Sequence, residues 1–362
     1  MQIINKFYKL LNVYIYFISF SLLIVFFSTT YSNANAFRVS KIEISSPFEL
    51  NFEKNNVIDK GFHTSFSDLI SMITTSGDRK KIKNVSIKEI KGMIDSFTIS
   101  DEKFINNEYF ANLETTFNKK KILKFLENKN IFPSIPQRNK VLLFPILIET
   151  KNNNIYLFNN NIFYDKWNEQ KNSYDLLDYL LPSEDIEDLI ELQKISKDIE
   201  TYDFSNLINK YDIRDNIILI IYKESNRIRT LSKINLNNSL KIQNKNYPKL
   251  DILNNNDFSN IVENLKQLYE DQWKKNNEIN TSIKLPITIS INSKKTKKII
   301  ELEQVLYSLD LVSDFSILNF NSEIIQYKIT YNGTPNIFLN DMKEKNLELE
   351  MKNNMWILKW KI

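Results

Sequence analysis

The first uncharged run of the chain, Leu10 to Ala36, constrains the compartment in which every later residue folds. Lys6 and Lys9 give this segment a short positive start, and Val13 to Phe27 is almost wholly apolar. The run ends in Ala34-Asn35-Ala36, which places small residues at the two positions that a signal peptidase recognises. A positive start, an apolar middle and an A-x-A end are typical of a secretory signal peptide.

We therefore predict that residues 1–36 are a signal peptide, that cleavage follows Ala36, and that the mature chain begins at Phe37 and lies in the periplasm. The alternative is an uncleaved N-terminal anchor in the inner membrane. It is the weaker prediction because the apolar middle is shorter than the roughly 20 residues of a spanning helix. The sequence has no second long apolar run, so membrane contact is expected only through an uncleaved leader.

Composition narrows the classes of partner and cofactor. The formal charge is +4, and removing Lys6 and Lys9 leaves +2 for residues 37–362. A balance this close to zero does not indicate a nucleic-acid partner. Cysteine is absent and His63 is the only histidine, which excludes disulfides, thiolate metal sites and sites built on two histidines. We therefore expect neither a cofactor nor a metal.

Three segments with different patterns follow the leader, and together they predict a mixed α+β and α/β fold. Residues 37–135 alternate strand-like and helix-like patterns, which indicates a small α+β domain, and Asn106-Asn107 between two strand-like segments predicts a hairpin turn. Residues 136–278 are predicted to form an α/β domain, and Val141 to Ile148 within them has the uninterrupted apolar character of a strand buried on both faces. Pro145 in that strand predicts an edge position, a bulge or a bend. We predict that Asn237 to Asn256 is an Asn-rich connection.

The last segment, residues 279–362, gives the most specific fold prediction. Its patterns follow the order β-α-β-β-α-β, with Thr334-Pro335 as a cap and first-turn proline ahead of the second helix. This order is that of the ferredoxin-like, split βαβ arrangement, and it predicts a four-stranded sheet with two helices on one face.

The sequence predicts no catalytic or cofactor-binding residues. The chain has four glycines, too few and too scattered for a phosphate-binding loop or a dinucleotide fingerprint. His63 is predicted to lie at the surface or the edge of the core. The densest acidic cluster contains Glu184, Asp185, Glu187 and Asp188. Oxygen ligands of this kind could bind a divalent cation, but the cluster lacks the alternating spacing of a calcium-binding loop. The helix dipole favours acids at a helix N-terminus, so we prefer the interpretation that these residues begin a helix.

Three functional hypotheses remain. The first is a non-catalytic periplasmic module that binds or assembles with an unknown envelope protein or a cell-wall component. The second is a wall-active glycan hydrolase that uses two carboxylates, a pair with no fixed spacing in sequence. The third is a carrier of a hydrophobic ligand. The absence of any nucleophile, metal or cofactor motif favours the first hypothesis, and we expect no enzymatic activity.

The order of several short motifs resembles that of a known family. These motifs are Phe37-Arg38-Val39, the apolar run Val141 to Ile148, Leu181-Pro182 followed by Asp185 and Asp188, Asp271-Gln272-Trp273-Lys274, Tyr331-Asn332-Gly333 and Trp356-Ile357-Leu358. In this order they resemble the bacterial exported proteins of domain-of-unknown-function family 2066. The resemblance implies a Gram-negative envelope protein of unassigned role, and it supplies no catalytic residues. The family often has the motif Leu-Pro-x-Gly-Asp, whereas this chain has Leu181-Pro182 followed by Ser183-Glu184-Asp185, with no glycine.

The leader gives a first testable prediction. When the full chain is expressed in a Gram-negative host, intact-mass measurement of the periplasmic protein should find a species that begins at Phe37. Replacing Ala34 and Ala36 with bulky residues should block cleavage and move the protein to the membrane fraction. A periplasmic species that retains Met1 would contradict the cleavage prediction.

Overall fold

Three β-sheets with helices packed on them make up the part of the chain that a computed structural model describes. The described residues are 37–169, 171–224, 227–250, 252–279, 284–309, 311–352 and 355–360. The predicted leader and its cleavage residues Ala34 and Ala36 lie outside them. The predicted mixed α and β class is confirmed. None of the described helices is long and apolar enough to cross a membrane.

The first sheet has three antiparallel strands in the order β1-β3-β2. Its region contains β1 (Arg38–Pro47), α1 (Lys54–Ile73), α2 (Ser76–Arg79), α3 (Ile87–Met93), β2 (Ile94–Ile105), β3 (Glu108–Phe117) and α4 (Lys119–Glu127). Helix α1 is amphipathic, and its buried apolar residues recur mainly at spacings of three and four, as a single packed face requires. That face lies against β1 and β3.

Gly61 lets helix α1 lie close to the sheet. A Cβ atom added at Gly61 would stand 2.6 Å from Leu113 Cδ2 and 2.8 Å from Ile44 Cγ2. Leu113 belongs to β3 and Ile44 to β1, and both side chains are buried. The glycine is therefore required by the close approach of helix and sheet.

The second sheet is the centre of the middle region. Its strands follow the order β5-β4-β7-β8-β9, and β6 also pairs with β4. Its elements are β4 (Asn139–Glu149), β5 (Asn154–Tyr156), α5 (Ile162–Lys166) with a 3-10 turn at Trp167–Glu169, β6 (Leu177–Leu180), α6 (Ile186–Lys194), α7 (Ser205–Ile208), β7 (Asn216–Lys223), β8 (Arg227–Leu236), β9 (Ser239–Pro248) and α8 (Asn255–Asn276). One core cluster joins this sheet to α8, and a second cluster on the opposite face joins it to α6 and α7.

Strand β4 is buried on both faces, as its apolar run predicts. Strand β4 is not an edge strand as a whole and its pairing with β7 is unbroken by a bulge, but Pro145 itself has the predicted edge position on the other side. On the other edge β6 pairs with residues 139–142 and β5 with residues 147–149, so Pro145 falls in the gap between two short partners. In that gap the side-chain amide of Asn161 donates to the Pro145 carbonyl at 2.9 Å.

The prediction that Asn237 to Asn256 is only an Asn-rich connection is wrong. Strand β9 occupies most of it and pairs with β8 along its whole length. Asn237 and Asn238 form the two-residue turn, with φ of 51° and 58°. Strand β9 is an edge strand with mostly exposed residues, and exposure allows the polar composition that hid the strand in the sequence.

The third sheet has the predicted order of helices and strands, with one strand more than predicted. Its elements are β10 (Leu285–Asn292), α9 (Thr296–Ser308), β11 (Val312–Phe320), β12 (Ile324–Tyr331), α10 (Pro335–Glu344), β13 (Leu347–Lys352) and β14 (Met355–Trp360). The sheet order is β11-β12-β10-β14-β13. Strands β10, β11 and β12 have the split βαβ arrangement. Strand β14 then lies between β13 and β10, antiparallel to the first and parallel to the second, so the sheet has five strands where four were predicted.

The elements of the three sheets fall within residues 37–135, 136–278 and 279–362, respectively. Backbone contacts nevertheless group Phe37–Ile362 as one compact unit, and the independence of the three domains stays a prediction. The two predicted boundaries lie side by side, because Ser134 forms a β-bridge with Glu278 and the Ile279 N–H donates to the Pro133 carbonyl at 2.7 Å.

Two glycines on different helices should respond to the same substitution with opposite signs. Gly61→Ala should destabilise the protein, because the new methyl group meets two buried side chains under 3.0 Å and overpacking costs about 1–3 kcal/mol. Gly92→Ala in α3 should leave stability unchanged or raise it by up to about 1 kcal/mol, because no atom lies within 4 Å of its added Cβ. Urea unfolding midpoints measure both variants. If both variants unfolded at the same urea concentration, the close packing at Gly61 would be refuted.

Candidate functional site

An exposed apolar surface lies at one end of the first sheet, where two loops meet. We call it the apolar tip and define it by Phe48, Leu50, Phe52, Phe104 and Ile105; the buried Tyr109 packs against it. The loop after β1 carries the first three residues, and the β2–β3 hairpin carries the others. The Phe48 N–H donates to the Asn107 carbonyl at 2.7 Å, which joins the two loops.

Backbone geometry explains how the hairpin presents its side chains. Asn106 and Asn107 form the predicted two-residue turn, with φ of 52° and 60°. Left-handed backbone at both positions is the feature of the tight hairpin turn that matches strand twist, and asparagine tolerates it better than most residues. The turn places Phe104 and Ile105 at the end of the strand pair.

The rings of the apolar tip contact one another as well as the solvent. The ring centroids of Phe48 and Phe104 are 4.9 Å apart at an angle of 73°. Phe52 lies 5.0 Å from Phe48, and Tyr109 lies 5.2 Å from Phe104. Phe104 nevertheless remains 60 % exposed and Phe48 50 %, while Leu50 is fully exposed. Contiguous exposed apolar surface of this kind marks interaction sites on soluble proteins.

Charged residues surround the apolar tip, and most of them are acidic. Lys54 Nζ donates to Glu102 at 2.6 Å, and the Tyr109 hydroxyl donates to the same carboxylate at 3.0 Å. The hydrogen bond from Lys54 lowers the pKa of Glu102, and burial raises the pKa of Tyr109. The remaining exposed charges in the two loops are Glu49, Glu53, Lys103 and Glu108. Four carboxylates against two ammonium groups give the rim a net negative charge.

The predicted site residues fall elsewhere. Of the cleavage residues, Phe37 alone is described, and it is buried, with its carbonyl accepting the Phe117 N–H at 2.9 Å. His63 is exposed on helix α1, as the surface interpretation predicts. Across the described part of the chain, no group of three or more His, Cys, Asp or Glu residues could hold a metal ion.

The acidic cluster is arranged around a lysine. Asp185 caps helix α6 by accepting the Glu187 N–H at 2.8 Å. Lys210 Nζ donates to Asp185 at 2.7 Å and also to Asp188, so the ammonium group supplies the positive charge between these two carboxylates. The side chain of Asp188 is buried, whereas Lys210 is 42 % exposed. The two carboxylates raise the pKa of Lys210 through these hydrogen bonds.

A second group of polar contacts joins the first two regions at the last turns of α8. Lys274 Nζ donates to the Ser71 carbonyl at 2.6 Å, and Asp271 accepts from the Ser76 N–H at 2.8 Å. Glu270 accepts the N–H groups of Leu176 and Leu177, each at 2.8 Å. Burial lowers the pKa of Lys274 and raises that of Glu270, whose carboxylate lies 3.7 Å from the ammonium group. The motif Asp271 to Lys274 is therefore part of a structural junction.

Sequence reasoning missed the apolar tip. The signal available was weak: apolar Phe48 and Leu50 between a strand and a helix, and Phe104-Ile105 immediately before the turn. Apolar residues at the end of a predicted strand normally belong to the core. Their exposure follows only from the meeting of two loops that are distant in sequence.

The contact between Lys210 and Asp188 gives a stability prediction. Lys210→Met should lower the free energy of unfolding by about 2 kcal/mol, because it leaves the buried Asp188 carboxylate without a counter-charge. Adding Asp188→Asn should recover part of the loss. The matched control is Lys171→Met, which breaks the exposed pair with Asp178 and should cost about 0.5 kcal/mol or less. Chemical unfolding measures all three, and equal losses for the two lysines would contradict the prediction.

A scan against protein-family models and a search of curated proteins both find no match to the chain. The resemblance to the exported-protein family 2066 therefore stays a prediction.

Proposed function

We propose that the chain is an exported cell-envelope protein that acts as a binding or assembly module, and that it engages a partner protein through the apolar tip. The observation that carries this proposal is the exposure of Phe48, Leu50 and Phe104 on one joined pair of loops. Exposing apolar side chains to water is unfavourable in free energy, and a partner that buries them gains that free energy on binding.

The chemistry of the tip narrows the class of partner. An apolar centre with a polar rim is the usual anatomy of a protein interface, and aromatic anchors carry much of the binding energy. The rim carries Glu49, Glu53, Glu102 and Glu108 against Lys54 and Lys103. Its net negative charge disfavours an anionic lipid surface. It complements an envelope protein that presents an apolar groove with basic residues around it.

The periplasmic location of this module rests on the predicted leader. Residues 37–362 with a formal charge of +2 have little attraction for anionic lipid, so a cleaved leader would release them into the periplasm. In that compartment the apolar tip is accessible to a partner protein of the envelope.

A crosslinking experiment tests the proposal. The full chain carries a photoreactive phenylalanine at Leu50, which is fully exposed, and is expressed and irradiated in a Gram-negative host. We expect one discrete crosslinked partner, identified by mass spectrometry. The same group at Ile186, which is also strongly exposed but lies on helix α6, should not capture it.

A pair of double variants then measures affinity for the captured partner. Phe48→Ser with Phe104→Ser should weaken binding by about 2 kcal/mol or more, roughly thirtyfold. The control, Leu318→Ser with Phe320→Ser, removes apolar side chains of similar exposure from strand β11 and should leave affinity unchanged. Undiminished binding by the tip variant, or equal loss in both, would refute the role of the tip.

A further inference from the structure

A second candidate site is a cleft on the α6 and α7 side of the middle sheet. It lies beside helix α7, at the start of β7 and the end of β8, and has a volume of about 480 Å³. Clefts of roughly 300–1,000 Å³ are the size that holds small ligands. None of its lining residues belongs to the apolar tip.

Two cationic side chains line the cleft. Lys233 is partly buried, and its Nζ donates to the Tyr202 carbonyl at 3.0 Å and lies 5.0 Å from the centroid of the Phe204 ring. An ammonium group has three N–H donors, so one such bond leaves capacity for a ligand. Arg214 is exposed, and no ion pair of its guanidinium group occurs within the described ranges. Burial lowers the pKa of Lys233.

The negative charge in the cleft is already engaged. Asp203 is the one carboxylate among the described lining residues, and it accepts from the Ser205 N–H at 3.0 Å and from the Ser205 hydroxyl at 2.5 Å. Two cations against one carboxylate leave the cleft with a net positive charge. A ligand that balances it carries one negative charge.

The rest of the lining is aromatic and amide in character. The aromatic rings of Tyr202 and Tyr211 and the amide side chains of Asn209 and Asn235 line the same space. Aromatic faces pack against the C–H faces of sugar rings, and amides exchange hydrogen bonds with hydroxyl and acetamido groups. Cations beside these groups add recognition of a carboxylate.

We propose that this cleft binds an acidic amino sugar, with Arg214 and Lys233 on its carboxylate and the aromatic and amide residues against its ring. The proposal goes beyond the proposed function and rests on its periplasmic location, where cell-wall glycan carries such sugars. It assigns the cleft a ligand that differs from the protein partner of the apolar tip.

Calorimetric titration of the mature protein from the periplasm tests this site with two matched probes. N-acetylmuramic acid carries a lactyl carboxylate, and N-acetylglucosamine is the same sugar without it. We expect saturable binding of the acidic sugar, at least roughly tenfold tighter than that of the neutral one, because a charge-assisted hydrogen bond contributes about 1.5–3 kcal/mol. Inorganic phosphate should not compete at equal concentration. Equal binding of both sugars, effective competition by phosphate, or no saturation would each overturn the proposal.

Two variants and a control locate the binding. Arg214→Gln should weaken binding of N-acetylmuramic acid roughly tenfold, and its exposure makes a folding defect unexpected. Lys233→Met should do the same, with its fold checked by urea unfolding. Lys245→Gln removes an exposed charge on β9 outside the cleft and should bind as the parent does. Unchanged affinity in Arg214→Gln would overturn the site while leaving the tip crosslinks, and hence the proposed function, intact.

Discussion

The buried ammonium group of Lys274 bonds the end of helix α1 to helix α8, and through α8 to the core of the middle sheet. Its Nζ donates to the Ser71 carbonyl at 2.6 Å while Glu270, one turn earlier, accepts two backbone N–H groups ahead of β6. The apolar face of the same helix covers one side of the middle sheet. A buried charge is costly unless it is paired, so this helix can occupy only a position in which each charged group meets its partner. The polar contacts thus supply specificity, and the apolar face supplies most of the stabilisation.

The fold could be predicted where hydrophobic period and burial agree. Strand β4 was recognisable because a strand buried on both faces needs an unbroken apolar run. The β2–β3 turn was recognisable because Asn106 and Asn107 tolerate left-handed backbone. Strand β9 was hidden because an edge strand in water can be almost wholly polar. The position of β14 was also out of reach. Its sequence pattern is that of a strand whether β14 lies at the edge of the sheet or inside it, and only tertiary packing decides between these two positions.

The two proposed binding surfaces show why candidate sites were harder to predict than strands. The apolar tip depends on Phe48 meeting the Asn107 carbonyl, a contact between loops on opposite sides of helix α1 in the sequence. The cleft depends on Arg214 and Lys233, which belong to different elements and have no shared motif. Neither set of residues has a fixed spacing, because binding chemistry of this kind needs convergence in space and no particular order along the chain. The acidic cluster, which does have a local spacing, is instead organised by Lys210.

The place of strand β14 bears on the time at which the protein can fold. Because β14 lies between β13 and β10, strand β13 can join the rest of the third sheet only after β14 has been synthesised. Pairing between strands far apart in sequence is slow, since loop closure costs entropy before any contact offsets it. Strands β10, β11 and β12 can pair before β14 exists, so the β13 side of the sheet is the part that joins last. An unfolded chain is the form that passes through a narrow translocation channel, so under the proposed export a sheet edge that joins late suits the polypeptide to transport before it folds.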